Sequence, residues 1–305
     1  MHGPCHPVGP WACYAGEMID SPKVPESAQL QRGRRMQMVE LHFATPPTLN
    51  LGVLHTRAEE ILGEPLDSSP HDETKQALIL FHKSHPFAVK DGTLFPQTAL
   101  LRADQPVNLE VLQSLFEQSW RCREAAEVLA SSRHTLLVTE LMAQQLPPVE
   151  RLWLFHGVLQ AAVEQTQPLA LVWRHSQQVI RTADYLESVG DEPVLRPGTL
   201  NVRFFNIAET DGDMLMDTRG LAELDLPDLQ CHFRDLDPNP LSRVLFNTAI
   251  YLVEQGPVIE SGHTIQGIEP GSKWSCQEED ALIGPERTVL DLNPGPPFAA
   301  GDRGD

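Results

Sequence analysis

The sequence predicts an α+β protein of mixed or antiparallel sheets with packed helices, arranged in two lobes. Three observations predict it. Short apolar runs with two-residue alternation recur along the whole chain, the mark of strands. Segments with apolar residues at three- and four-residue spacing fall between some of them, yet no G-x-G-x-x-G and no P-loop follows any strand, which argues against a nucleotide-binding doubly wound sheet. The second half carries more strands than helices. The expected organisation is a disordered tail over residues 1–35, an N-terminal α/β lobe over 36–190 and a strand-rich lobe over 198–303.

In chain order, Pro4, Pro7, Pro10, Pro22 and Pro25 interrupt the first 35 residues, and no periodicity appears there. Met36 opens the first regular segment and is a candidate translation start. Residues Met36–Phe43 alternate, with Val39, Leu41 and Phe43 on one face, and read as a strand. Val53–Leu62 is an amphipathic helix stopped by Gly63. Ala77–His82 and Thr93–Leu101 read as a pair of strands. Asn108–Ser131 reads as a long helical region with Leu109, Leu112, Leu115, Phe116 and Trp120 in one stripe. His134–Leu141 is a strand. Pro147 and Pro148 open a helix where a missing N–H costs nothing, and Pro168 ends it. Leu169–Trp173 is a strand, and Ser176–Val189 reads as helical.

In the later part, Leu200–Ile207 and Met214–Asp217 flank Thr210-Asp211-Gly212-Asp213, and Asp-Gly is a strong hairpin signal. Leu226–Phe233 is a strand. Asp237 is a good N-cap with Pro238 at the first helical position. Its carboxylate can accept from Asn239, because Pro240 has no N–H. Gly256 and Pro257 stop that helix. Val258–Ile265 and Arg287–Leu292 read as short strands.

The chain has 305 residues, 41% apolar and 21% charged, enough to bury a core without a disulfide or metal staple. Its formal charge is −19. From Arg181 to Asp305 there are 23 acidic against 9 basic residues, which leaves this half at −14. Such a chain is repelled by phosphate backbones, so nucleic acid is not an expected partner. A basic protein partner or a small anionic ligand is. Five cysteines without a framework (Cys5, Cys13, Cys122, Cys231 and Cys276) fit a reducing, cytoplasmic setting. No secretory signal and no run long enough to span a bilayer is read, so no membrane association is expected.

No catalytic motif is found, and no cofactor is implied. Cys231, His232, His263 and Cys276 invite a metal reading, but Cys231 and His232 are adjacent on a strand and point to opposite faces. No paired spacing of zinc type occurs. A nucleophilic Cys276 is disfavoured by Glu278, Glu279 and Asp280, whose charges raise a thiol pKa. The turn around Asp211, Asp213 and Asp217 lacks the ligand series of a calcium loop. What remains is a strand face. With Leu229, Cys231 and Phe233 toward the core, Asp228, Gln230, His232 and Arg234 share the other side, which is either a binding face or a solvated one. Together with His263, Trp274 and Arg287 they form the candidate binding face. The function expected is non-enzymatic binding. The alternative is a hydrolase or transferase that acts on a small anionic metabolite through this face.

One resemblance adds to this reading. The order DTRGLAELDLPDLQCHFRDLDP (Asp217–Pro238), GHTIQG (Gly262–Gly267) and KWSCQEEDALIGPERTVLDLNPG (Lys273–Gly295) resembles the bacterial family called domain of unknown function 4261. The stretches Gln118–Ala143, Glu150–Ala162 and Leu169–Ile180 are similar to its N-terminal half, so the likeness runs from about Met38 to Arg303. It implies a bacterial, cytoplasmic α+β protein, and it implies no reaction and no catalytic residue. The proline-rich N-terminal extension departs from the family pattern.

Overall fold

Alternating runs assemble into two main sheets, as expected of an α+β chain. A computed structural model describes residues 36–69, 77–90, 92–103, 107–191, 195–210 and 212–301. The expected tail over residues 1–35 lies outside the described residues, as does Asp211.

The first sheet holds β1 (Met38–Phe43), β2 (Asp67–Ser68), β3 (Ala77–Phe81), β6 (Gln97–Arg102), β7 (His134–Leu141), β8 (Ala170–Trp173) and β9 (Gln178–Arg181), in the order β2-β3-β6-β7-β1-β8-β9. Every neighbouring pair in it is antiparallel. A small hairpin, β4 (Phe87–Val89) and β5 (Gly92–Leu94), stands apart from it. Val39, Leu41, Leu136, Val138 and Leu171 pack with Leu54, Ala58, Phe155 and Leu159 from α1 (Leu51–Leu62) and α4 (Pro148–Thr166). The opposite face, through Ala170, Val172 and Val179, meets α2 (Gln113–Glu117) and α3 (Ala125–Ala130). Helix α5 (Thr182–Glu187) follows β9.

Capping residues act where the sequence placed them. Asn50 accepts from Val53 N at 3.1 Å, and Gly63 ends α1 in the left-handed conformation. Three expectations change. Thr93–Leu101 divides at Pro96 between β5, which pairs with β4, and β6, which pairs with β3. Asn108–Ser131 is two short helices joined by turns, because Leu112, Leu115, Cys122 and Leu129 must all reach β8 and β9. Ser119 sits between them, donating to Leu115 O and accepting from Val179 N at 2.9 Å, while Trp120 is left 52% exposed. Ser176–Val189 begins as strand β9, which pairs with β8 around a tight turn in which Gln177 has positive φ. Only its end is helical.

The second sheet has the order β10-β11-β12-β15-β14-β13. Its strands are β10 (Asn201–Asn206), β11 (Met214–Arg219), β12 (Asp228–Phe233), β13 (Thr264–Gln266), β14 (Lys273–Asp280) and β15 (Thr288–Asn293). Only β12 and β15 run parallel. One face carries Met216, Leu229, Cys231, Phe233, Leu290 and Leu292, which pack against Leu241, Leu245, Ala249 and Leu252 of α6 (Pro238–Gln255). Strand β14 was not read from the sequence, and Val258–Ile265 shrinks to Thr264–Gln266.

Helix α6 begins at Pro238, and Asp237 accepts from Asn239 N at 2.9 Å. The Asp237→Ala variant is therefore expected to lose about 1 kcal/mol of stability, measured by urea unfolding. A loss indistinguishable from zero would mean that the cap does not hold the helix end.

Candidate functional site

Register explains what lies on the second face of the second sheet. Residues directly opposite on neighbouring strands share a face. Arg203 on β10 is opposite Asp217 on β11, Asp217 opposite Gln230 on β12, Gln230 opposite Asp291 on β15, and Asp291 opposite Gln277 on β14. One row of polar side chains thus crosses five strands. Two residues further along the strands, Asn201 is opposite Arg219, and Asp228 stands beside Arg219.

Gln277 is exposed, but over β10, β11, β12 and β15 this face is not solvated. Arg203, Asp217, Arg219, Asp228, Gln230, Arg287 and Asp291 are all buried, Gln230 completely. The segment between β14 and β15 folds back over them: Leu282 N donates to Gln230 Oε1 at 2.8 Å, and Arg203 donates to Gly284 O. On the other side, the turn before β9 closes the edge. Gln177 Oε1 accepts from Arg203 at 2.7 Å, and His175 stands 3.2 Å from Glu223.

The charges neutralise one another. Asp217 accepts from Arg203 Nε at 2.8 Å, from Arg203 Nη2, and from Arg287 Nη2 at 2.7 Å. Arg287 Nε lies 3.3 Å from Asp228 Oδ2, and Arg219 Nε lies 4.0 Å from the same oxygen. Asp228 also accepts from Leu221 N at 3.1 Å. Burial pushes the Asp228 carboxyl up to about 6 against the pull of Arg287, and burial lowers Arg219.

The sign of the Asp228 shift makes a prediction. A carboxyl raised in the folded state holds its proton there longer than in the unfolded chain. Its favourable contribution is complete below about pH 4 and is lost as pH rises toward 6. Relative to Asp228→Asn, the wild type should lose up to about 3 kcal/mol between these limits and stay level above them. Urea midpoints of both proteins across that range measure it, and parallel pH profiles would contradict it.

The candidate residues thus separate. Asp228, Gln230 and Arg287 meet in one buried cluster. His232 and Arg234 lie further along β12 at the Asp213 carboxylate, with Arg234 Nη2 2.9 Å and His232 Nε2 3.8 Å from it. The His232 ring packs against the backbone of Gly301. His263 is exposed in the turn after Ser261. Trp274 is a correction: it is buried on the α6 side of the sheet, in the apolar core with Cys276 and Leu292, and its indole presses on Gly267. Strand alternation puts it opposite the polar row. Arg203, Asp217, Arg219 and Glu223 were missed: Arg203 alternates with Val202 and Phe204 on β10, but β11 reads Met214-Leu215-Met216-Asp217-Thr218-Arg219 without alternation, and Glu223 lies in a turn.

Among the described residues, no group of three or more His, Cys, Asp or Glu side chains is placed to hold a metal ion. Cys276 is buried, and burial rather than the neighbouring acids is the main force that pushes its thiol up to about 11. Asp291 adds to it. A surface depression beside α1, lined by Leu51, His55, Thr56 and Leu80, is made by elements that contribute nothing to the cluster.

The polar row and its cover run from Asp217 to Asn293, apart from Arg203 and the edge turn that carries His175 and Gln177. Residues 217–293 match the family model described as Domain of unknown function (DUF4261). The DUF4261 segment thus contains the end of β11 together with β12, α6, β13, β14 and β15, hence most of the apolar face that receives α6 and most of the charged face. The resemblance read from the sequence reaches further toward the N-terminus than this match. Neither a curated protein nor a solved structure matches the chain.

Proposed function

We propose that this is a cytoplasmic, non-catalytic binding protein that recognises a basic protein partner through the acidic rim of its DUF4261 segment. The observation that carries this reading is the distribution of charge. From Tyr251 to Gly301 there are 8 acidic and 2 basic residues. Arg287 and Asp291 are buried, so the accessible charge is Glu254, Glu260, Glu269, Glu278, Glu279, Asp280 and Glu286 against Lys273 alone. Glu278, Glu279 and Asp280 lie in a row at the end of β14, where a cationic segment can approach. Cys122, Cys231 and Cys276 are buried and in no disulfide among the described residues, which suits a reducing compartment. No described helix is long and apolar enough to cross a membrane.

The reading as an enzyme of small anions has less support. Arg203 and Arg287 are committed to Asp217, and Arg234 to Asp213.

Fluorescence anisotropy with a labelled oligolysine tests the proposal. The triple variant Glu278→Lys, Glu279→Lys, Asp280→Lys should weaken binding by about tenfold or more, and added salt should erase the difference. The charge-matched control Glu110→Lys, Glu117→Lys, Glu127→Lys lies on the α2–α3 side of the first sheet and should lose much less. Equal losses in the two variants would reduce the effect to net charge and overturn the assignment to this rim.

A further inference from the structure

Away from the charged layer, a cleft of about 280 Å³ opens between α1 and the β2–β3 edge of the first sheet. Leu78 and Leu80 of β3, both buried, stand at its apolar end with Leu51. Gly52, His55 and Ser68 continue the wall. A second depression along α1 shares Gly52 and Thr56 with it. Gly52 is the anomaly. The described α-helices hold two glycines, Gly52 in α1 and Gly157 in α4. Packing requires Gly157, because a Cβ there would run into Leu62 of α1. A Cβ on Gly52 would meet nothing nearer than Asn50 Oδ1 at 3.6 Å, an ordinary contact, and Gly52 has no positive φ. Glycine in a helix costs up to about 1 kcal/mol relative to alanine. No contact within the fold accounts for it. What the missing side chain leaves is clear space at the wall of the cleft.

We propose that this cleft binds a small uncharged alcohol with an apolar body. The three leucines call for hydrocarbon, as in most ligand sites, where a few polar groups set the orientation. An apolar cavity of about 150 Å³ takes a benzene ring, so this cleft has room for a substituted one. Glycine lets such a body lie against the helix backbone. Among the described residues that line the cleft, His55 is the one titratable group. Its Nδ1 lies 3.5 Å from Glu59 Oε2, which leaves the other ring nitrogen for a ligand. A hydroxyl suits that nitrogen in either protonation state, because it can both donate and accept. An anion does not suit it. Glu59 would repel an anionic head, and the nearby cations are committed. Arg57 donates to Glu164 at 2.7 Å and to Glu60 at 3.0 Å, and Lys83 pairs with Asp67. Helix α1 and strands β2 and β3 lie outside residues 217–293, so this site stands or falls independently of the acidic rim.

Isothermal titration on the full chain tests it, with benzyl alcohol, benzoate and glycerol as probes. Benzyl alcohol should bind saturably. Benzoate, which adds a charge, and glycerol, which lacks the apolar body, should each bind at least about tenfold more weakly. Gly52→Leu should fold, since a side chain there has room, and should weaken benzyl alcohol about tenfold or more by filling the cleft. His55→Leu keeps the wall apolar and removes the partner of the hydroxyl, so it should weaken binding about threefold or more. Gly52→Ala, followed by circular dichroism, should melt no lower than the wild type. The proposal is overturned by the lack of saturable benzyl alcohol binding up to about 50 mM. Equal binding of benzoate or glycerol would overturn it too, as would undiminished binding in a folded Gly52→Leu or His55→Leu protein. A lower melting temperature for Gly52→Ala would show that the fold itself needs the glycine, and would remove the ground for the site.

Discussion

The Asp217→Ala variant is expected to lose about 3–5 kcal/mol of folding free energy, and to unfold outright if the wild type has little stability to spare. Asp217 is 1% exposed and is the shared acceptor of two guanidiniums, Arg203 and Arg287. Removing its carboxylate leaves Asp228 alone to balance Arg287 and leaves Arg203 with carbonyl and amide oxygens only, Gly284 O and Gln177 Oε1. The cost is that of one buried positive charge, Arg203, without a counter-ion and of a second, Arg287, left to Asp228 alone, which exceeds the net worth of the pair when intact. Asp217→Asn keeps the shape and part of the hydrogen bonding, so it should lose less. Urea unfolding followed by far-UV circular dichroism measures both. A loss below about 1 kcal/mol for the alanine variant would place the pair in solvent.

The Arg151→Ala variant should show a loss of the same size, about 3–5 kcal/mol, with a different pH signature. Arg151 stands in the first turn of α4 and is 1% exposed. It pairs with Glu140 on β7, donates to Glu223 O at 2.6 Å, and reaches Asp225 at 3.1 Å, so it ties the first sheet to the start of the DUF4261 segment. Its loss leaves Glu140 buried with one backbone donor, Gln37 N at 2.9 Å. Burial already holds the Glu140 carboxyl above its ordinary range, and without Arg151 nothing of opposite charge restrains it. A raised carboxyl contributes stability that is lost as pH rises, so the deficit of Arg151→Ala should widen from acid toward neutral pH. The double variant Arg151→Met, Glu140→Gln removes both charges and should recover much of the loss. A deficit that does not change with pH would mean that Glu140 is not the group left stranded.

Much of this fold was legible because local chemistry and tertiary structure agree where the text is clearest. Helix α6 begins at Pro238 and ends at Gln255, as Asp237, Pro238 and Gly256 require. Strand β7 spans His134–Leu141 as its alternation requires. The failures have specific causes. The helical spacing of Leu109–Trp120 is satisfied by two short helices that bend to keep Cys122 and Leu129 on the sheet. Strand β14 hides behind the acids Glu278, Glu279 and Asp280, which lower β propensity yet are suited to an exposed strand near the edge of a sheet.

The site was half legible. Alternation on β12 identifies Asp228 and Gln230 as facing away from α6, and it cannot say that a later segment covers them. The pairing of Arg203 with Asp217 was out of reach for a sharper reason. A two-residue turn on Asp211–Gly212 would set Arg203 opposite Gly220. The hairpin instead closes from Ile207 N to Asp213 O, and this longer loop shifts the register to bring Arg203 opposite Asp217. Trp274 was misplaced because its strand was not read, so its parity could not be assigned.

The central claim is that the polar face of the second sheet is a buried, internally neutralised charge layer. A double-mutant cycle on Arg203 and Asp217, with methionine and leucine as replacements, tests it most directly. The prediction is a coupling of about 2 kcal/mol or more that barely changes when salt is raised. A coupling below about 0.5 kcal/mol that fades with salt is the signature of an exposed pair and would contradict the claim.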